Sequence, residues 1–172
     1  MTNKALRLQT LSEEATVDFG RILGNTLMPG VTVLLFGDLG TGKTTLIRGI
    51  GDALGVTRVR SPSFTLVNEY YTARFPIAHA DLYRLEPEEV EDLGLEEYHE
   101  APFVLLIEWA ERWTNPPERD VLKVFVEARS ENERALVVDS QGGAADLVLQ
   151  NLRKALKDGK VNPCAGLQPA LD

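Results

Sequence analysis

The sequence predicts an α/β fold, with a mostly parallel central sheet in a three-layer arrangement and antiparallel hairpins added to it. A glycine-rich loop joins a short apolar run to a segment of helical periodicity, and further apolar runs of strand length alternate with turns and helix starts. The 172 residues suit one domain, expected over residues 1–157, followed by a loosely ordered tail over residues 158–172.

Taken in order, the first organised segment is "TLSEEATVDFGRILGNTL", where Thr10 and Glu13 stand as a capping box and Ser12 as another N-cap. Ala15, Phe19, Ile22, Leu23 and Leu27 recur on one helical face that stops near "MPG". Residues 31–36, "VTVLLF", lie between Gly30 and Gly37 and read as a buried central strand. Beyond the loop, Leu46, Ile47, Ile50, Ala53 and Leu54 keep helical spacing until Gly55. Residues 64–83 read as a hairpin turning at "TAR", and Pro87 with Glu88 and Glu89 as a helix start. "FVLLI" is a second buried strand, residues 103–107, ending at Glu108. "VLKVFVEA" and "RALVVDS" flank "RSENE" as another hairpin, and "AADLVLQNLRKAL" reads as a closing helix.

Composition narrows the function. Hydrophobic residues make up 44%, enough for a core, while a formal charge of −8 and a pI near 4.9 argue against a chain that holds nucleic acid through its own field. Cys164 is the only cysteine, which excludes an intrachain disulfide and a multi-cysteine zinc cage. No apolar run approaches the roughly 20 residues that span a bilayer, and "MTNKALRLQT" lacks a signal peptide's apolar stretch. The chain reads as cytoplasmic.

The strongest chemical signal is the loop. Gly37, Gly42, Lys43 and Thr44 satisfy G-x-x-x-x-G-K-[ST] between a predicted strand and a predicted helix, the context that this motif requires. Glycines let such a loop fold back with its N–H groups pointing inward, and the helix N-terminus adds a partial positive charge aimed at the same anion. Lys43 can reach the β- and γ-phosphates, and the Thr44 hydroxyl a magnesium ion. The fold expected is therefore P-loop NTPase-like. Magnesium takes further oxygen ligands, and an attacking water needs an acceptor. Glu108 and Asp81 each close an apolar strand, at the carboxyl rim where the loop lies, and are the candidates. No N-K-x-D signature selects guanine, so ATP is the expected nucleotide.

"GDLGTGKTTLIRG", "SPSFTLVNEY", "HADLYRL" with "EEVEDLGLEEY", and "LLIEWAERW" together resemble the TsaE (YjeE) family, over about residues 8–140. That resemblance implies the small bacterial ATPase of tRNA threonylcarbamoyladenosine synthesis, which works with the TsaB and TsaD proteins and meets tRNA only through them. It implies ATP in the loop formed by Gly37, Asp38, Leu39, Gly40, Thr41, Gly42, Lys43, Thr44 and Thr45. It also implies Mg2+ held by Thr44 and Glu108, Asp81 near the γ-phosphate or its water, and hydrolysis that resets the partner complex between cycles. Glu13 would line the adenine pocket. A small-molecule kinase would share the loop and the acids, but it usually needs a basic lid, and the only basic helix face, "NLRKALK", is short and distant. A nucleotide-dependent binding module is a third reading.

Other residues carry weaker signals. "SPSFT" takes the place of a switch-like loop in which Ser63 or Thr65 would approach the ion, or it is a plain turn. Arg58, Arg60, Arg74 and Arg84 are candidates to face the partner or the RNA, with a solvated surface the default for an isolated arginine. His79 and His99 lack metal-ligand company and read as structural, and Trp109 and Trp113 read as packing residues.

Overall fold

A computed structural model describes residues 5–62, 64–159 and 166–170. Its elements are β1 (Leu6–Thr10), α1 (Glu13–Thr26), β2 (Thr32–Phe36), α2 (Lys43–Ala53), β3 (Val67–Tyr71), β4 (Pro76–Asp81), α3 (Pro87–Glu91) and α4 (Leu95–Glu100). There follow β5 (Val104–Glu108), a 3₁₀ turn (Ala110–Arg112), β6 (Val121–Ala128), β7 (Arg134–Gln141), α5 (Gly143–Asp158) and β8 (Leu167–Pro169). Among the described residues the strands form one eight-stranded sheet in the order β3-β4-β5-β2-β6-β7-β1-β8. Its centre, β4-β5-β2-β6, is parallel, and every other pairing is antiparallel, as the expected hairpins require.

Strand alternation divides the core into two layers. Val33 and Leu35 of β2 and Val104 and Leu106 of β5 pack with α1, α2 and α5, while Leu34, Leu105 and Ile107 pack with α3, α4 and the 3₁₀ turn. Both faces of the central strands are covered, which is why their sequences are apolar without interruption.

The helix carrying the loop is fixed closely to α1. A Cβ on Gly49 would collide with the Val17 carbonyl oxygen and the Gly20 backbone, and one on Gly20 with the Leu46 carbonyl oxygen. The two helices thus meet backbone to backbone. Arg74 donates to the carbonyls of Gly24 and Leu27 (3.3 and 3.2 Å), so this arginine caps the end of α1.

Three expectations change. The Thr10–Glu13 box does not form, because Thr10 ends β1 and bonds the Thr16 hydroxyl at 2.7 Å, while Ser12 Oγ accepts from the Ala15 amide at 3.0 Å. A strand, β1, precedes the first helix. Of the tail expected to be loosely ordered, Leu167–Pro169 pairs with Leu8–Thr10, which gives the polar backbone of β1 a second partner. Residues 160–165, including Cys164, lie outside the described residues.

Candidate functional site

The loop between β2 and α2 has the backbone that its glycines allow. Gly40 and Gly42 take φ of 76° and 99°, values that a side chain disfavours, and Gly37 takes 149° with the Val126 carbonyl where a Cβ would be. Gly42 is the N-cap of α2 and offers no side-chain cap, so the first-turn amides of the helix point into the loop without an intrahelical partner. An anion suits them.

Lys43 is nearly buried, 4% exposed. Its Nζ donates to the carbonyls of Gly37 and Asp38 (2.5 and 2.8 Å) and lies 4.3 Å from the centre of the Trp109 ring. Burial pushes its ammonium below the ordinary lysine value, opposed by Glu108 first and then by Glu111, Asp81 and Asp38. Trp109 is held for this contact by a left-handed backbone, φ 58°, and by Tyr83, whose ring centre is 4.7 Å away. Trp113 is a core residue, 3% exposed.

The two strand-end acids meet. Asp81 of β4 and Glu108 of β5 are register partners on adjacent parallel strands, and Leu35 of β2 is the partner of Glu108 on its other side. Glu108 is 3% exposed, and both its oxygens accept from Thr44 Oγ1, at 3.0 and 2.9 Å. Asp81 accepts from Ser61 Oγ at 2.8 Å and from the Tyr83 amide at 3.0 Å. In the switch-like segment it is therefore Ser61 that reaches Asp81. Thr65 bonds Asn68, and Ser63 lies outside the described residues.

A cavity of about 350 Å³ runs over these groups, from Glu13 and Thr16 on α1, past Thr45, to Asp81 and Glu108. Glu13 pairs with Arg48 at 2.9 Å on its rim. Opposite stands the β6–β7 hairpin, where Arg134 donates from Nε to the Thr41 carbonyl (2.6 Å) and from Nη1 to the carbonyls of Ser130, Glu131 and Glu133. That tie between hairpin and loop is missed by sequence reasoning, because it joins residues far apart in the chain. His79 is missed as well, although its spacing offers a signal. It stands two residues before Asp81 on one strand, a spacing that turns both to one face, and its Nε2 lies 2.9 Å from Glu108 Oε1. His99, on α4, bonds the Thr32 hydroxyl at 2.8 Å and is structural.

The donor set fits magnesium. A hydroxyl and a carboxylate offer hard oxygens side by side, and this ion is commonly held by one or two carboxylates with waters and substrate phosphates completing its shell. Among the described residues no cluster of three or more His, Cys, Asp or Glu side chains could hold a metal alone.

A central parallel strand that runs through such a loop into a helix, with acids at the ends of the neighbouring strands, defines a protein of the P-loop NTPase-like α/β class. Residues 10–136 match the model of the family "Threonylcarbamoyl adenosine biosynthesis protein TsaE". The chain belongs to the TsaE family. Its relatives include the tRNA threonylcarbamoyladenosine biosynthesis protein TsaE of Bacillus subtilis, 34% identical over 88% of this chain and 96% of that one. The protein of the same name from Nostoc is 50% identical over 61% of this chain and 68% of its own. The crystal structure of YdiB from Bacillus subtilis superposes with a TM-score of 0.73 at 30% identity, covering 88% of this chain and 95% of that one.

Proposed function

We propose that this chain is the ATP-binding and ATP-hydrolysing component of the tRNA threonylcarbamoyladenosine machinery, acting with TsaB and TsaD to reset their complex between cycles. Family membership supports the pathway, and one observation supports the chemistry: Thr44, at the start of α2, hydrogen-bonds Glu108 at the end of the adjacent strand. That contact supports reading the two side chains as an ion-ligating pair beside a loop suited to phosphate.

On this reading the amides of residues 40–45 and the Lys43 ammonium bind the β- and γ-phosphates, while Thr44 and Glu108 hold Mg2+. The ion supplies charge neutralisation on the phosphate oxygens. Asp81, fixed by Ser61 and the Tyr83 amide, orients the attacking water. Burial of Lys43 under Trp109 strengthens its attraction for the phosphates by excluding water. The adenine lies toward Glu13 and Thr16, at the α1 end of the cavity.

With a net charge of −8, the chain meets tRNA through its partners. Phosphate release should therefore be slow for the chain alone and rise on addition of TsaB, TsaD and tRNA. No release in any mixture would refute the hydrolytic reading, and phosphate transfer to a small acceptor in place of release would make the chain a kinase.

A further inference from the structure

His79 is fully buried, with 0% exposure, in the middle of β4. Its Nε2 is 2.9 Å from Glu108 Oε1, and its Nδ1 is buried without a hydrogen-bond partner among the described residues. A carboxylate oxygen is an acceptor, so the geometry sets Nε2 as the donor to Glu108. As core filling, an imidazole with one nitrogen left unsatisfied is a poor choice, because an apolar side chain of similar volume would occupy the same space without that penalty. What the histidine does that an apolar residue could not do is hold Oε1.

We propose that His79 is a positioning residue for the metal site: it fixes the rotation of the Glu108 carboxylate so that this group and the Thr44 hydroxyl are set together before the ion arrives. The proposal rests on the reading of Thr44 and Glu108 as Mg2+ ligands. Glu108 is 3% exposed, and its backbone is paired in register with β2 on one side and β4 on the other. Two donors grip it from different elements: Thr44 from α2 and His79 from β4. Without the second donor, the Thr44 hydroxyl alone restrains rotation of the carboxylate about its last bond, and ion binding must then stop the rest of that rotation. Hydrogen-bond partners of metal-ligating carboxylates typically contribute about 10- to 100-fold in metal affinity.

The test compares His79→Gln, whose amide nitrogen reaches the place of Nε2, with His79→Met, of similar bulk and no donor. Calorimetry with a slowly hydrolysed ATP analogue gives the affinity in EDTA and across a Mg2+ titration. In EDTA both variants should bind like the unsubstituted protein. With Mg2+, His79→Gln should keep the original midpoint, while His79→Met should need roughly 10- to 100-fold more ion. Equal midpoints for the two variants would overturn the proposal, as would an equal loss in EDTA and in Mg2+, which marks a purely structural residue. Should His79→Met not fold, His79→Asn, whose amide stops at the place of Nδ1, takes its part with the same two outcomes. If the unsubstituted protein itself shows no tightening with Mg2+, the ligand assignment fails, a result read without any variant.

Discussion

Lys43 combines a proposed function and a liability in one side chain. Its ammonium is buried under Trp109 and held by two loop carbonyls, and burial pulls its titration below the ordinary 10.5 of lysine. The folded protein thus gives up this proton at lower pH than the unfolded chain does. Between the two values the unfolded state binds more protons, so the site's contribution to stability rises with pH as 10.5 is approached from below. Lys43→Met has no such proton. Chemical denaturation of both proteins across that window should show the unsubstituted protein gaining on the variant as pH rises, and a constant difference would refute the burial argument. The same substitution should weaken ATP binding by about 1.5–3 kcal/mol, roughly 10- to 100-fold, the usual range for a charge-assisted hydrogen bond. Lys43, Thr44 and Glu108 are legible in the sequence because a motif or a strand end marks each of them. Arg134 carries no such mark, since its tie to the loop spans 93 residues of chain, and His79 offers only its two-residue spacing from Asp81, its contact with Glu108 spanning 29 residues.

The elements were legible where periodicity is strong, as in α1, α2, β2, β5 and the two hairpins. β1 did offer a signal, the alternation of Leu6 and Leu8 with Arg7 and Gln9, but a short polar-apolar run near a terminus competes with the capping pattern beside it. The junction of α1 with α2 yields a sharp expectation. Alanine in a helix interior is favoured over glycine by about 1 kcal/mol, yet at Gly49 the added methyl meets the backbone of α1, which cannot give way. Overpacking of about 1–3 kcal/mol or more should win, so Gly49→Ala should lower the melting temperature. At Gly143, in the first turn of α5, nothing lies within 4 Å of the place that an alanine methyl would take. Gly143→Ala should leave stability unchanged or raise it, and destabilisation of similar size at both positions would contradict the account of helix contact. Between hairpin and loop, Arg134→Ala should weaken ATP binding by roughly 1 kcal/mol, the net worth of a typical hydrogen bond. Equilibrium titration at fixed Mg2+ checks it, and unaltered affinity would show the hairpin to be a bystander.

At the scale of the molecule, the strand order is what the sequence leaves hidden. β1 inserts between β7 and β8, and β5 between β4 and β2, pairings set by the burial of whole faces and not by neighbours in the chain. That order is nevertheless what makes the site, because it sets β4, β5 and β2 side by side with their carboxyl ends on one rim. Under the proposed function, contact with RNA falls to other proteins and the work of this chain to the loop. The most direct test is a crystal structure with a slowly hydrolysed ATP analogue and Mg2+. The triphosphate should lie within the loop of residues 37–45, with the ion on Thr44 and Glu108 and the Lys43 ammonium turned to the phosphates. A nucleotide bound elsewhere, or an ion distant from Glu108, would contradict the account.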